Sequence, residues 1–427
     1  VLSVGVCFWT NAQSPYNLTV QELFEKGIQN SIAVQSSYLK KQIAEDKIVL
    51  AKNKRIADIQ ATGQFGYVGT PTVLDKDLSF LKHSNTPDWK QFYQVNAVQP
   101  LYQGGRIKNN IVRTELEKTI AELSVDKTKS DLKLWLIGKY LDLYNLYRRR
   151  DIYTINIKEA ERRLHDIEKM KEQGMITSND VLRSRLLLTD YELSYKETVN
   201  NISLTSQQLA IALGMDEDLI YSPDSLFLED SKKIYGMIDY VQSAYQNYPD
   251  MRITNTNIDL AKNNLKITKA DYLPALSLQV GNTFQRPIPN VSPAQDLYMN
   301  AWGITLNLSY RISALFDRKH SLSAARTQIN LQELAQEQQK QDIRMKVKSA
   351  YLKHGEAEDR VKSLEESVEQ ANENYRIVSK KYFNQLAILT DLLDANAVQL
   401  TAELQLTAAK ANAMYTYYQL LNISGKL

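Results

Sequence analysis

The sequence predicts a mainly α-helical chain with membrane β-strands, built as a duplicated unit of long coiled-coil helices plus two β-hairpins. Three observations predict it. Motifs of the first half recur in order 211 to 217 residues downstream: Asn30 with Asn247, Tyr102 with Phe316, Asp180 with Asp391, Gly214 with Gly425. That period is far longer than the 20–50 residues of solenoid repeats, so each copy is a whole supersecondary unit. All ten prolines lie at or before Pro293, and none falls within residues 101–222 or 294–427. Proline costs about 3 kcal/mol inside a helix, so both tracts permit long helices. Four further segments alternate apolar and polar residues with the period of a strand.

Residues 1–12 (VLSVGVCFWTNA) read as a signal-peptide remnant, an apolar run ending in small and polar residues. A lipoprotein reading would instead acylate Cys7. The first repeat spans 16–214, with strands at about 59–69 and 89–102, a long helix at about 104–172 and a second at about 178–213. In its strands Ile59, Ala61, Phe65 and Tyr67 alternate with Gln60, Thr62 and Gln64, and Trp89, Tyr93, Val95 and Ala97 with Lys90, Gln94 and Asn96. In the helices Leu116, Ile120 and Leu123 step by four and three, as do Ala160, Leu164 and Ile167. Residues 215–234 form a connection. The second repeat spans 235–425, with strands at about 273–285 and 297–311, a long helix at about 317–383 and another at about 390–423. At 1.5 Å per residue each long helix reaches roughly 100 Å, which suits lateral coiled-coil packing and no ordinary globular core.

The strands put aromatic residues and a leucine on one face, namely Phe65, Tyr67, Trp89 and Tyr93, then Phe284, Tyr298, Trp302, Leu306 and Tyr310, which are expected to face lipid. Tyrosine, at 25 residues against 9 Phe and 4 Trp, suits wet interfaces. Four strands cannot close a barrel, and an open edge in lipid leaves backbone groups unpaired. The smallest bacterial barrels use about eight strands, whereas three copies of this chain would supply twelve. The chain therefore implies its own oligomerisation. No segment offers 18 consecutive apolar residues, so the sequence predicts no transmembrane helix.

Several function classes find no support. The net charge of +3 gives no basic field for nucleic acid. One cysteine and four scattered histidines (His83, His165, His320, His354) offer no metal-ligand spacing. There is no nucleophile–base set, no phosphate-cradling loop and no cofactor motif, so the chain is not expected to be an enzyme. Arg148–Arg149–Arg150 is followed by Asp151 and Glu159 and reads as a solvated helix face.

Two motifs carry a resemblance. Pro100–Leu101–Tyr102–Gln103–Gly104–Gly105–Arg106 marks a strand exit, and Gly174 to Leu182 follows the pattern Gly-x-x-[Ser/Thr]-x-x-Asp-Val-Leu. Recurring in order, twice, over roughly residues 16–425, they make the chain similar to the TolC-like outer membrane efflux protein family. In the second copy Arg318–Lys319 replaces the double glycine and Gln385 the turn glycine. The resemblance implies a homotrimer with a 12-strand β-barrel in the outer membrane and a 12-strut α-barrel tunnel through the periplasm. It implies an exit duct of a tripartite efflux or type I secretion system, whose partners are a periplasmic adaptor and an inner-membrane pump. A periplasmic coiled-coil adaptor or scaffold is the alternative.

The resemblance also assigns sites. Asp391 and Asp394, three apart at a helix start, match the aspartates that narrow the family's tunnel; they also suit offsetting the helix dipole. Asp180 reads as half of a capping box with Thr177, and Tyr382 occupies the family's latch tyrosine position, so a Tyr382–Asp180 latch is expected. The turns Gly174–Met175–Ile176–Thr177–Ser178 and Gln385–Leu386–Ala387–Ile388–Leu389 would be the tunnel's inner tips and dock the adaptor.

Overall fold

A computed structural model of the chain describes residues 16–83, 87–224, 234–288 and 295–427. The expected signal remnant, Cys7 and residues 225–233 of the 215–234 connection lie outside the described residues. In chain order the elements are β1 (Tyr16–Leu18), α1 (Val20–Asn30), α2 (Ile32–Asn53), β2 (Asp58–Tyr67), β3 (Thr72–Leu74), β4 (Phe80–His83), β5 (Trp89–Gln103), α3 (Arg106–Glu172) and α4 (Ser178–Leu213). There follow β6 (Tyr221–Pro223), α5 (Met237–Asn247), α6 (Pro249–Ala270), β7 (Ala275–Arg286), β8 (Met299–Ser309), α7 (Ala314–Phe383) and α8 (Leu389–Ile423). Among the described residues no helix is long and apolar enough to cross a membrane.

Element lengths repeat. Helices of 11, 22, 67 and 36 residues in the first half face helices of 11, 22, 70 and 35 in the second. The spatial division does not follow the halves. One compact unit takes residues 40–122 and 254–336, and the other takes the remainder, so each draws on both copies.

The first unit contains an antiparallel sheet of order β2-β5-β7-β8. Cross-strand register fixes its faces, because residues directly opposite share a face. Tyr67 faces Trp89, Tyr93 faces Phe284, Leu278 faces Leu306 and Asn282 faces Trp302. One face thus collects Ile59, Phe65, Tyr67, Trp89, Tyr93, Val280, Phe284, Trp302, Ile304, Leu306 and Leu308, all exposed. The other carries Gln60, Thr62, Gln64, Gln94, Gln279, Thr283, Thr305 and Asn307. β2 and β8 are edge strands. Pro100 sits in central β5, where proline has no ladder donor, and the register shifts there, between Pro100 and Tyr102.

Gly104 turns β5 into α3 at φ +60°, where an added Cβ would lie 2.8 Å from Leu273 Cβ and 2.9 Å from the Ala270 carbonyl oxygen. The second copy makes the corresponding connection without a positive-φ residue among 310–313. Arg318 and Lys319 therefore lie inside α7, which starts at Ala314, because both are good helix formers and no glycine interrupts them.

Among the described residues the second unit is helical apart from the short parallel pair β1–β6. Its largest core joins α1, α3, α4 and α8 through Leu23, Leu136, Ile137, Leu209 and Leu213. Tyr140 ties the short strands to it, its hydroxyl donating to the Leu18 carbonyl at 2.9 Å and accepting from the Asp224 N–H at 2.7 Å. A second cluster packs Tyr240 and Ala244 of α5 on Ile343, Val347 and Ala350 of α7.

The paired asparagines and glycines of the sequence meet here. Gly214 and Gly425 end α4 and α8 at φ +61° and +69°. A Cβ on Gly214 would lie 2.9 Å from Asn30, and one on Gly425 2.7 Å from the backbone of Asn247 and Tyr248. The carbonyl before each glycine is satisfied differently. Asn30 Nδ2 donates to Leu213 O at 2.6 Å, whereas Ser243 Oγ donates to Ser424 O at 2.9 Å.

Candidate functional site

Both helix-hairpin tips are built by the same backbone. In the first, Gly174 N–H bonds the Lys171 carbonyl and Met175 N–H the Met170 carbonyl, each at 2.9 Å. In the second, Gln385 N–H bonds Tyr382 and Leu386 N–H bonds Lys381, at 2.9 and 2.8 Å. Both are Schellman caps, which require a left-handed residue. Gly174 supplies it at φ +73°, and Gln385 is forced to it at φ +63°. The turn persists without its glycine because the flanking helices impose it.

The start of α4 carries a complete capping box. Thr177 Oγ1 accepts from Asp180 N–H at 3.3 Å, and Asp180 Oδ2 accepts from the Thr177 N–H at 3.0 Å and hydroxyl at 2.7 Å. At the start of α8 only half remains. Asp391 Oδ2 accepts from Ile388 N–H at 3.4 Å, and Ile388 has no side-chain acceptor to return the bond. Asp394 lies one turn on, exposed like Asp391. Its counterpart Arg183 donates from Nη1 to Thr390 Oγ1 at 3.0 Å, so a cation from the first tip sits against the acidic start of α8.

From these aspartates an exposed stripe runs along α8: Asp391, Asp394, Val398, Thr401, Gln405, Ala408 and Asn412. The steps alternate three and four without a break, so the stripe keeps one face of the helix. It is polar or small at every position but Val398.

Tyr382 and Asp180 are not hydrogen-bonded within one chain. Tyr382 is buried with Ile167, Val181, Leu389 and Leu392, and its hydroxyl has no partner among the described residues. Burial raises its pKa, and the charge of Asp180 raises it further. The expected tip set needs one correction as well. Met175, Leu386 and Ile388 are exposed, but Leu389 is buried in that tip core because it begins the apolar face of α8, and Ile176 and Ala387 pack partly against it.

A buried polar layer lies just above the tip core, and the motif reading missed it. Asn396 of α8, fully buried, accepts from Arg163 Nη2 at 3.0 Å and from the Tyr191 hydroxyl at 3.1 Å, and donates to Asn156 Oδ1 at 3.3 Å. Arg163 Nη1 finds no partner among the described residues, and burial pushes the Tyr191 hydroxyl up to about 12. The layer joins α3, α4 and α8 between two apolar clusters. Its signal was present in the sequence, since Leu392, Asn396 and Leu400 step by four along one core face.

The nine aromatic and leucine positions expected to face lipid are exposed, and those within the strands share the apolar face of the sheet. Phe65 stacks on Trp89 at 5.0 Å and Phe284 on Tyr298 at 5.1 Å between ring centroids. Among the described residues no cluster of three or more His, Cys, Asp or Glu side chains could hold a metal ion.

Known proteins resemble the chain in part of its sequence and in its fold. Residues 240–426 match the family model described as outer membrane efflux protein. A relative, nodulation protein T of Rhizobium leguminosarum bv. trifolii, is 20% identical over 98% of this chain and 87% of its own. The solved structure of CusC superimposes with a TM-score of 0.80 at 16% identity, over 95% of this chain and 92% of that one. That of the outer-membrane channel OprN gives 0.78 at 18% identity, over 96% and 90%. The second repeat thus carries the match to the outer membrane efflux protein model, and the chain as a whole shares the fold of these solved channels.

Proposed function

We propose that the chain is the outer membrane exit duct of a tripartite efflux or type I secretion system, working as a homotrimer. The observation that carries this reading is the sheet. Its apolar face is exposed along four strands, and both its edges, β2 and β8, lack a neighbour among the described residues. Such edges in lipid demand pairing. Three copies join β8 to β2 of the next and close a barrel of twelve strands, with the apolar face towards lipid and the glutamine- and threonine-rich face towards water. The helical hairpins of three copies form the periplasmic tunnel. Its inner end holds the constriction at Asp391 and Asp394, which favours cations.

In this reading Met175, Leu386 and Ile388 offer apolar knobs to a periplasmic adaptor that links the duct to an inner-membrane pump. Tyr382 and Asp180 form their latch only across chains or through movement of the tip, since Asp180 is engaged with Thr177 within one chain. A scaffold or adaptor role fits less well, because it leaves the aromatic sheet face without a cover. Expression in a Gram-negative host tests the proposal. The expected result is fractionation with the outer membrane, a three-chain mass in detergent, and single-channel conductance in planar bilayers. A protein released without detergent as a monomer contradicts it.

A further inference from the structure

Between α3 and α8 lies a cavity of about 340 Å³, within the size range of small-molecule sites. Leu134, Trp135 and Leu141 line it from α3, and Ala408, Ala411 and Tyr415 from α8. Gly138 lets the Tyr415 ring approach α3, since a Cβ there would lie 3.2 Å from the ring. The polar groups of this cavity are Lys139, Asp142, Asn145, Asn412 and the Tyr415 hydroxyl. Asp142 brings a carboxylate, and Asn145 Oδ1 is buried with no hydrogen-bond partner among the described residues. Lys139 Nζ lies 3.9 Å from Asp142 Oδ2, a loose surface pair that a better-placed cation can displace.

We propose that this cavity binds protonated organic amines with an aromatic body. The faces of Trp135 and Tyr415 attract a cation, and the apolar walls take a ring. Asp142 neutralises the charge, and an ammonium N–H supplies the donor that Asn145 Oδ1 lacks; a buried acceptor left without a donor is unfavourable. An anion of the same shape meets the like charge of Asp142, and Lys139 is the one full positive charge in the lining. Ala408 and Asn412 belong to the exposed α8 stripe that begins at Asp391 and Asp394. The proposal rests on the duct reading for its biological sense: the acid pair and the cavity stand along one wall, and the substrate class they favour is cationic.

The test is a calorimetric titration of the full-length protein in detergent with 2-phenylethylammonium at neutral pH, beside 3-phenylpropanoate as the anion of similar shape. The amine is expected to bind at least tenfold tighter than the anion. Asp142→Asn and Trp135→Ala are each expected to weaken it by about tenfold or more. Lys139→Met is expected to tighten it several-fold, a gain that misfolding cannot produce. Equal affinity for amine and anion, or an amine affinity unmoved by Asp142→Asn and Trp135→Ala, overturns the assignment. Bilayer conductance separates the two ideas. Binding without conductance leaves the site standing and sinks the duct, and conductance without binding does the reverse.

Discussion

The two helix-hairpin tips share a backbone and one aspartate, and differ in the side chains around it. Gly174, Thr177, Asp180 and Arg183 stand in the first, and Gln385, Ile388, Asp391 and Asp394 stand at the same steps in the second. The first tip is locally optimised, with an unstrained cap and a reciprocal box. The second holds a strained glutamine, half a box and two exposed acids. The difference teaches that the second copy has exchanged local stability for a charged surface at its tip, as strain concentrated at functional positions often indicates.

Each pair of counterparts, 211 residues apart, offers a way to break that comparison. The largest effect is expected at the helix ends. Gly425→Ala drives a Cβ into the backbone of Asn247 and Tyr248, whereas Gly214→Ala meets only the movable Asn30 side chain. With about 1–2 kcal/mol for the left-handed conformation in both, Gly425→Ala should cost about 3 kcal/mol or more and Gly214→Ala about 1–2. Thermal midpoints at one scan rate check the order, and a larger loss at Gly214 refutes it.

Next comes the buried layer. Asn396→Ala orphans groups on Arg163, Tyr191 and Asn156 and should cost about 2–3 kcal/mol. Its counterpart Arg185 forms an exposed pair with Glu168 at 2.9 Å, and Arg185→Ala should cost less than about 0.5 kcal/mol. Chemical denaturation of both variants decides whether the layer is structural cement. Equal losses would show that it is not.

The smallest effects lie in the tips themselves. Thr177→Ala should lose about 1 kcal/mol by breaking a complete box. Ile388→Thr should gain a comparable amount by completing the other, and Gln385→Gly should gain about 1 kcal/mol by relieving its left-handed strain. Hydrogen exchange at the tip amides would register all three. Faster exchange in Gln385→Gly would mean that the glutamine is held by contacts rather than strained.

How much of this was legible in the sequence depends on the length of the signal. The four long helices were readable because proline-free tracts and three-four apolar steps persist over dozens of residues. The strand faces were readable because period-two alternation survives twelve residues. β1 and β6 escaped, since three-residue strands carry no period and are held by Tyr140 from another helix. Gln385 was readable as a departure but not as a left-handed residue, because the turn is dictated by packed helices rather than by its own preference. Asn396 was visible as a polar step in an apolar row, but its partners lie some 200 residues away in the chain. The spatial units were not legible at all. Copies are a property of the chain, whereas compact units arise from strands of both copies sharing one sheet.

The most direct measurement is the cation-to-anion permeability ratio of single channels in planar bilayers, for the unmodified protein and for two double variants. If the difference between the copies builds the constriction, Asp391→Asn with Asp394→Asn should lower the cation preference several-fold, and Asp180→Asn with Arg183→Gln should leave it nearly unchanged. Equal effects from both pairs, or none from the Asp391 and Asp394 pair, would contradict the account.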